Sequence, residues 1–140
     1  MSTQAGWHIA DVNEIPPVKP DWPATWKSVR HHFGITAFGI NAVTKDAGNV
    51  LIPEHDERES GQQEVYFVHR GRLEMEFGDG GSVVLEPGGI VRVDPATVRK
   101  LRNTGDEDAV YMVAGGDGGY VGRDGRLPED ARQTAPPTGS

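Results

Sequence analysis

A short stretch in the middle of the chain concentrates side chains that can bind a metal ion or exchange protons. Residues 53–64 read PEHDERESGQQE, with one histidine, His55, among several acidic residues. His55 and Glu57 are two positions apart, so on an extended segment they point to the same side. Glu64 begins a run of strand-forming residues and shares a face with Tyr66. If that face is a barrel interior, His55, Glu57 and Glu64 converge, and their imidazole and carboxylates suit metal or proton chemistry.

Short strands are predicted on both sides of this stretch, and they would position it. Residues 73–77 alternate strictly between apolar and charged side chains, and the sequence GDGG at 78–81 is a strong hairpin signal. The whole pattern predicts eight or nine strands and no convincing helix: 29–33, 35–44, 50–52, 64–70, 73–77, 82–85, 90–93, 98–102 and 109–114. Short strands at regular spacing favour an antiparallel sandwich or barrel.

The composition supports one all-β domain and excludes several other classes. Among 140 residues, 19 are Gly and 10 are Pro, which disfavours a helical bundle because both destabilise helix interiors. The net charge of -7 argues against a nucleic-acid partner, and the absence of cysteine excludes disulfides and thiolate ligands. We see no apolar run long enough to span a membrane and no signal peptide, so we expect a cytoplasmic protein.

The two ends of the chain are predicted to lie outside the barrel. Residues 1–25 are expected to form an arm, in which 9–15 make one helical turn that the following prolines stop. The three tryptophans lie in or beside this arm: Trp7, Trp22 and Trp26. Such an arm packs either on its own barrel or on a neighbouring subunit. We assign 26–122 to the barrel domain and the polar residues 123–140 to a flexible tail.

Two motifs along the chain resemble those of the cupin superfamily. The first usually has Gly, then His-x-His, then Glu, then Gly after six further residues, and the corresponding positions are Gly48, His55, Glu57, Glu64 and Gly71. The second keeps the usual spacing with three changed identities, at Gly88, Asp94, Ala96, Arg99 and Asn103. The resemblance covers about residues 35–115 and implies a single-domain, antiparallel jelly-roll β-barrel, in a family whose members commonly form homodimers.

Members of this superfamily hold a divalent metal, such as Mn, Fe, Ni, Zn or Cu, on four motif residues. The resemblance places those positions at His55, Glu57, Glu64 and Arg99, and only His55 and Glu64 keep the usual identity. Glu57 still offers a carboxylate oxygen, but the guanidinium of Arg99 has no lone pair to donate. We therefore expect Arg99 to pair with Glu57 or Glu64 in bidentate fashion and to supply some of the charge that a metal normally supplies.

Three functions follow from this reading, and the sequence leaves all three open. In the first, a pocket of His55, Glu57, Glu64, Tyr66 and Arg99 binds a small molecule, for which Arg99 would suit an anion. In the second, a metal on His55, Glu57 and Glu64 serves an enzyme of the dioxygenase or isomerase type that the resemblance implies. In the third, the polar cluster is vestigial and the domain is a structural or regulatory module. No catalytic residue is assigned.

The remaining histidines and basic residues are predicted to lie away from the site. His31 and His32 are neighbours on an expected strand, so their side chains would point to opposite faces. His69 is out of phase with Glu64 and is expected on the outer face. Lys100 and Arg102 alternate with Arg99 and are expected to be solubilising charges on the outside.

Overall fold

Nine short strands form two antiparallel sheets in the part of the chain that the structure, a computed structural model, describes: residues 6–18, 24–45 and 50–118. The strands are β1 (Thr25–Ser28), β2 (Gly39–Lys45), β3 (Val50–His55), β4 (Gln63–Arg70), β5 (Leu73–Phe77), β6 (Ser82–Leu85), β7 (Ile90–Val93), β8 (Arg99–Asn103) and β9 (Ala109–Gly116). The five-stranded sheet has the order β1-β2-β9-β4-β7, and the four-stranded sheet has the order β3-β8-β5-β6. The predicted all-β antiparallel fold is confirmed.

The core lies between the two sheets and follows the two-residue period of the strands. In β4, Tyr66 and Val68 are buried while their neighbours are exposed or half-buried, and in β8 the buried residues are Arg99, Leu101 and Asn103. Apolar side chains from both sheets fill the interior: Val43, Leu51, Ile52, Tyr66, Val68, Leu73, Met75, Leu85, Val93, Leu101, Ala109, Tyr111 and Val113. Arg99 and Glu64 make one end of this interior polar, and Asn103 is a buried polar residue at the other end of β8.

The turn between β4 and β5 depends on Gly71, which the first motif contains. Its φ of 89° lies in the left-handed region that favours glycine. A Cβ atom there would stand 2.8 Å from the Cα of Ala109, a distance at which backbone would have to move. This position therefore requires glycine for both conformation and space.

Strand β3 is longer than predicted because a bulge carries it through a proline. Opposite β8, Ile52 pairs with Leu101 and His55 pairs with Arg99, so three steps along β3 match two along β8. The extra residue falls in the segment of Pro53 and Glu54, where the proline has no N–H to donate to the neighbouring strand. The bulge shifts the alternation by one and turns His55 to the same side as Ile52. Strands β2 and β8 also differ from prediction, which gave 35–44 and 98–102.

The prediction of a strand at 29–33 is wrong, because these residues form a short helix, α1 (Val29–Phe33). Ser28 caps its first turn by accepting a hydrogen bond from the His31 backbone, and Gly34 ends it in the left-handed conformation. His31 and His32 consequently do not alternate across a sheet. Both are exposed, as expected for surface histidines.

The arm contains the helical turn that its sequence predicted, as a 3-10 helix at Val12–Glu14 with a capping box between Asp11 and Glu14. The Lys27 ammonium on β1 donates to the Val12 carbonyl at 2.9 Å, which holds this part of the arm on its own domain. Trp22 and the predicted tail at 123–140 lie outside the described residues. Among those residues, no helix is long and apolar enough to cross a membrane.

Candidate functional site

The ring of His55 is fixed at the end of β3 by a local hydrogen bond. Its Nδ1 lies 2.9 Å from the Pro53 carbonyl oxygen, and since a carbonyl can only accept, Nδ1 carries the proton. Its Nε2 faces Glu57 Oε2 at 3.3 Å. In this tautomer of the neutral ring, Nε2 carries the lone pair that a metal ion would need.

Glu57 lies on the loop between β3 and β4, and two contacts hold that loop in place. The Glu57 backbone N–H donates to the Pro95 carbonyl at 2.8 Å, which ties the loop to the turn between β7 and β8. Ser60 Oγ donates to Glu57 Oε1 at 2.7 Å, while Oε2 is the oxygen near His55. The loop is therefore set so that one carboxylate oxygen faces the site.

Glu64 is the centre of a buried ion pair with Arg99. Arg99 Nη2 donates to Glu64 Oε1 at 2.6 Å, and Tyr66 Oη donates to the same oxygen at 2.7 Å. Arg99 is only 1% exposed, and its Nη1 donates to the carbonyls of Thr97 and Asp94. The expected pairing of Arg99 is found with Glu64, through one oxygen rather than in the bidentate form. Both donors use Oε1, so the ion pair does not require the second oxygen of Glu64.

Burial and charge fix the protonation of the two donors. Burial raises the pKa of Tyr66 well above its usual value, and the neighbouring Glu64 carboxylate raises it further. For Arg99, burial lowers the pKa, but hydrogen bonds to Glu64 and Tyr66 outweigh it and raise the pKa above its usual value. At neutral pH, Tyr66 is therefore a neutral donor and Arg99 a charged one.

The structure brings His55, Glu57 and Glu64 together, each with one ligand atom within 4.8 Å of the others. They face a cavity of about 270 Å³ lined by Trp26, Asn41, Ile52, Pro53, His55, Glu57, Gln62, Glu64, Tyr66 and Val113. Arg99 is not part of this lining, but it contacts Glu64 and Tyr66, which are. Trp26, Asn41, Gln62 and Val113 were not among the predicted site residues. For Asn41, the signal was a polar residue at an inward position of β2.

This donor set fits a divalent metal ion. One imidazole nitrogen and two carboxylate oxygens are ordinary ligands of Mn, Fe(II) and Zn. Ligating histidines commonly donate their other ring N–H to a backbone carbonyl, as His55 does to Pro53. Arg99 pairs with Glu64 but not with Glu57, and both carboxylates face the cavity, so a bound cation would offset negative charge. Arg99 lies behind Glu64 and outside the lining, so it does not block the three ligands.

The other candidates lie elsewhere or have structural roles. His69 is exposed, in agreement with its predicted outward face. The hydroxyl of Ser28 lies 2.7 Å from His31 Nδ1, an arrangement that could suggest a nucleophile and its base. However, Arg30 donates to His31 Nε2, so the His31 proton is on Nδ1 and points at the serine oxygen. Ser28 therefore accepts as a helix cap and is not activated.

Comparison with known families identifies the fold class. A family model described as the cupin domain matches residues 46–115, half of the chain. The chain therefore belongs to the cupin superfamily, as the two motifs indicated. Comparison with curated proteins finds no match.

Solved structures support the same fold over most of the chain. A conserved protein with a double-stranded beta-helix domain from Klebsiella pneumoniae has a TM-score of 0.65 and 19% identity, covering 81% of this chain and 92% of that one. A predicted oxalate decarboxylase from Thermotoga maritima has a TM-score of 0.64 and 14% identity, covering 77% and 97%. A sugar phosphate isomerase from Silicibacter pomeroyi has a TM-score of 0.61 and 20% identity, covering 77% and 74%. At these identities, the likeness concerns the fold alone.

Proposed function

We propose that the protein binds a small molecule in the cavity that His55, Glu57 and Glu64 face, by means of a divalent metal ion held on these three residues. The observation that carries this proposal is the convergence of the three ligand atoms within 4.8 Å, with the ring of His55 oriented by the Pro53 carbonyl. The cavity beside them is large enough for a small organic ligand and combines apolar walls with a few polar groups.

The charges of the lining favour a cation as the first occupant. In the described part of the chain, the lining residues include two carboxylates and no lysine or arginine. An anion entering alone would meet Glu57 and Glu64, and the cation of Arg99 is already engaged behind Glu64. A metal ion would reverse the local charge and act as a Lewis acid that polarises a ligand oxygen. An anionic ligand therefore suits this cavity when the metal is present.

Metal binding is tested by titrating Mn²⁺ into chelator-treated, untagged protein in an isothermal titration calorimeter. We expect one site per chain and at least a tenfold weaker affinity in His55→Ala, because each ligand contributes directly to the site. The matched control is His69→Ala, which removes an exposed histidine and should leave the affinity unchanged. Equal binding by the wild type and His55→Ala would contradict the assigned ligands, and no binding by the wild type would favour an inert module.

Ligand binding is tested by the thermal unfolding midpoint with two small anions, oxalate and a sugar phosphate, chosen because two structural relatives are a predicted oxalate decarboxylase and a sugar phosphate isomerase. We expect a concentration-dependent rise for at least one of them when Mn²⁺ is present, and none in its absence, because ligands stabilise the state they bind. A rise that does not need Mn²⁺ would instead support a metal-free pocket.

A second candidate is a metal-dependent enzyme of the dioxygenase or isomerase type. The observation in its favour is that the three candidate ligands converge beside a cavity. Three protein ligands would leave coordination positions of a bound metal open, as in catalytic metal sites. Turnover would be measured with the same two compounds under air, in the wild type and in His55→Ala. Product that forms only with metal and only in the wild type would support the enzyme. Stable binding of either compound without turnover would support a binding protein.

A further inference from the structure

Two carboxamide side chains line the cavity of the candidate site and have no part in the three-residue cluster. Asn41 on β2 and Gln62, just before β4, are both half-buried and face the same cavity as His55, Glu57 and Glu64. Among the residues that the structure describes, none forms a hydrogen bond with either carboxamide. Each carboxamide therefore keeps its N–H donors and its carbonyl acceptor for a molecule in the cavity.

A glycine on β9 makes the room that Gln62 needs. Gly115 pairs in register with Gly39 on β2 and with Glu64 on β4. A Cβ atom on Gly115 would stand 2.9 Å from Gln62 Oε1 and 3.2 Å from Glu64 Cγ. Both side chains can lie against the backbone of β9 only because no side chain is there. The carboxamide of Gln62 is consequently next to one of the candidate metal ligands.

The rest of this wall is mainly apolar. Its members are an indole ring, Trp26 on β1, and the side chains of Ile52, Pro53 and Val113. Asn41 pairs in register with Val113, so one carboxamide stands directly beside this apolar surface. A carbon chain with hydroxyl groups matches such a wall. Each hydroxyl both donates and accepts, as a carboxamide does, while the C–H groups contact the apolar side chains.

The charges beside the carboxamides favour a ligand with one negative charge. A divalent ion and the guanidinium of Arg99 together exceed the carboxylates of Glu57 and Glu64 by a single positive charge. A carboxylate neutralises this excess. A phosphate ester carries nearly two negative charges at neutral pH and would leave an excess of negative charge. The described lining residues include no lysine or arginine that could offset it.

We infer that the cavity is selective for a polyhydroxylated carboxylate, with the acid group on the metal and the hydroxyl groups on Asn41 and Gln62. This inference rests on the proposed function, because it assigns the metal to the acidic end of the ligand. Asn41 and Gln62 are then specificity-determining residues. An alkyl chain of the same length would cover both carboxamides without giving them partners, which costs free energy that the hydroxylated chain does not lose.

The experiment is calorimetric titration of D-gluconate and of hexanoate into the Mn²⁺-loaded full chain. The two carboxylates have the same chain length, and only gluconate carries hydroxyl groups. We expect gluconate to bind at least about tenfold more tightly. In Asn41→Leu and in Gln62→Met, which approximate the original side-chain shapes, gluconate should bind about 3–10-fold more weakly, because each variant removes a neutral hydrogen-bonding group. Hexanoate should bind these variants as well as it binds the wild type, or better.

Two controls separate a loss of specificity from a damaged site. The Mn²⁺ affinity of both variants should equal that of the wild type, because neither residue is an assigned metal ligand. Gln63→Met makes the same replacement at the adjacent exposed residue, where β4 begins. This control variant should bind both carboxylates like the wild type.

The possible failures distinguish this inference from the proposed function. A wild type that binds Mn²⁺ but does not prefer gluconate to hexanoate overturns the inference and leaves the metal site standing. Unchanged gluconate affinity in both Asn41→Leu and Gln62→Met does the same. A wild type that does not bind Mn²⁺ contradicts the proposed function, and the inference falls with it, since the acid group would then face Glu57 and Glu64 without a counter-ion.

Discussion

Strand β8 carries two arginines, and the two faces of that strand give them opposite roles. Arg99 points into the barrel and donates to Glu64 at 2.6 Å, with 1% and 13% of the two side chains exposed. Arg102 points outward, where it lies 3.6 Å from Glu74 and 3.3 Å from Glu76, with 43% of its side chain exposed. The same residue types thus form a buried pair beside the cavity and a solvated network on the outer face.

The comparison shows that burial, and not the pairing itself, decides what an arginine contributes. On the outer face, water screens the charges, and such pairs contribute about 0–1 kcal/mol. Inside the barrel, removal of one partner leaves the other charge buried without compensation, which costs about 3–5 kcal/mol. Arg99 also donates to the carbonyls of Thr97 and Asp94, so it holds the turn between β7 and β8. This turn accepts a hydrogen bond from the loop that carries Glu57.

The largest expected effect comes from Arg99→Leu. This substitution leaves the Glu64 carboxylate in the barrel with Tyr66 as its remaining donor in this cluster, and we expect a loss of about 3–5 kcal/mol in the free energy of unfolding. Urea unfolding followed by fluorescence measures it. Arg99→Lys keeps a positive charge without the planar geometry, so its stability should lie between those of the wild type and Arg99→Leu. A loss below about 1 kcal/mol in Arg99→Leu would mean that the pair is not essential to the barrel.

Tyr66→Phe should cost less, about 1.5–3 kcal/mol at pH 7. The variant removes one hydrogen bond to a charged group and changes the volume little. Urea unfolding again measures the change, with Tyr66→Phe/Arg99→Leu as the double variant. If the double variant loses a different amount of unfolding free energy than the sum of the two single variants, the two donors are coupled, as expected for groups that share one oxygen. Strict additivity would argue against this shared contact.

The same variant should also change the stability in alkali. Burial raises the Tyr66 pKa in the folded protein, whereas the unfolded chain ionises near pH 10. The unfolded state then binds fewer protons than the folded state, so this contribution to stability is present below pH 10 and falls above it, by about 1.4 kcal/mol per pH unit. Tyr66→Phe lacks this slope and should lose stability more gradually between pH 10 and 11. Parallel curves for the two proteins would contradict the assignment.

The smallest effect is expected from Arg102→Leu, the outer counterpart of the first variant. We expect a change within about 0.5 kcal/mol, because its partners Glu74 and Glu76 remain hydrated without it. The same urea experiment measures it. A loss close to that of Arg99→Leu would abolish the contrast between the two faces of β8.

The sequence predicted the strands best where alternation and turn residues agreed, as in β5 with its GDGG hairpin. It failed at 29–33, since Val29 and Phe33 favour strands and only the caps at Ser28 and Gly34 favour the helix. The sequence also could not predict that Arg99 pairs with Glu64 and not with Glu57. That choice depends on which strands face each other across the barrel, and spacing along the chain does not determine this.

The convergence of His55, Glu57 and Glu64 was predicted from their two-residue spacing and from the face of β4. The inward direction of His55, however, depends on the bulge at Pro53, which the proline signalled only as the end of a strand. The apolar outer face of β4 was not predicted. Val65 and Phe67 alternate with buried residues, so β4 has apolar side chains on both faces and its sequence does not tell which face is exposed. Exposure of such a run is visible only in the folded chain.

The most direct measurement is a crystal of the full chain soaked in Mn²⁺ and examined for anomalous scattering. The account predicts one strong peak within about 2.0–2.3 Å of His55 Nε2 and of one oxygen each from Glu57 and Glu64, with Arg99 still bound to Glu64 Oε1. The same soak of His55→Ala should lack this peak. An empty difference map at the three residues of the wild type, or a peak confined to the acidic surface, would contradict the central claim.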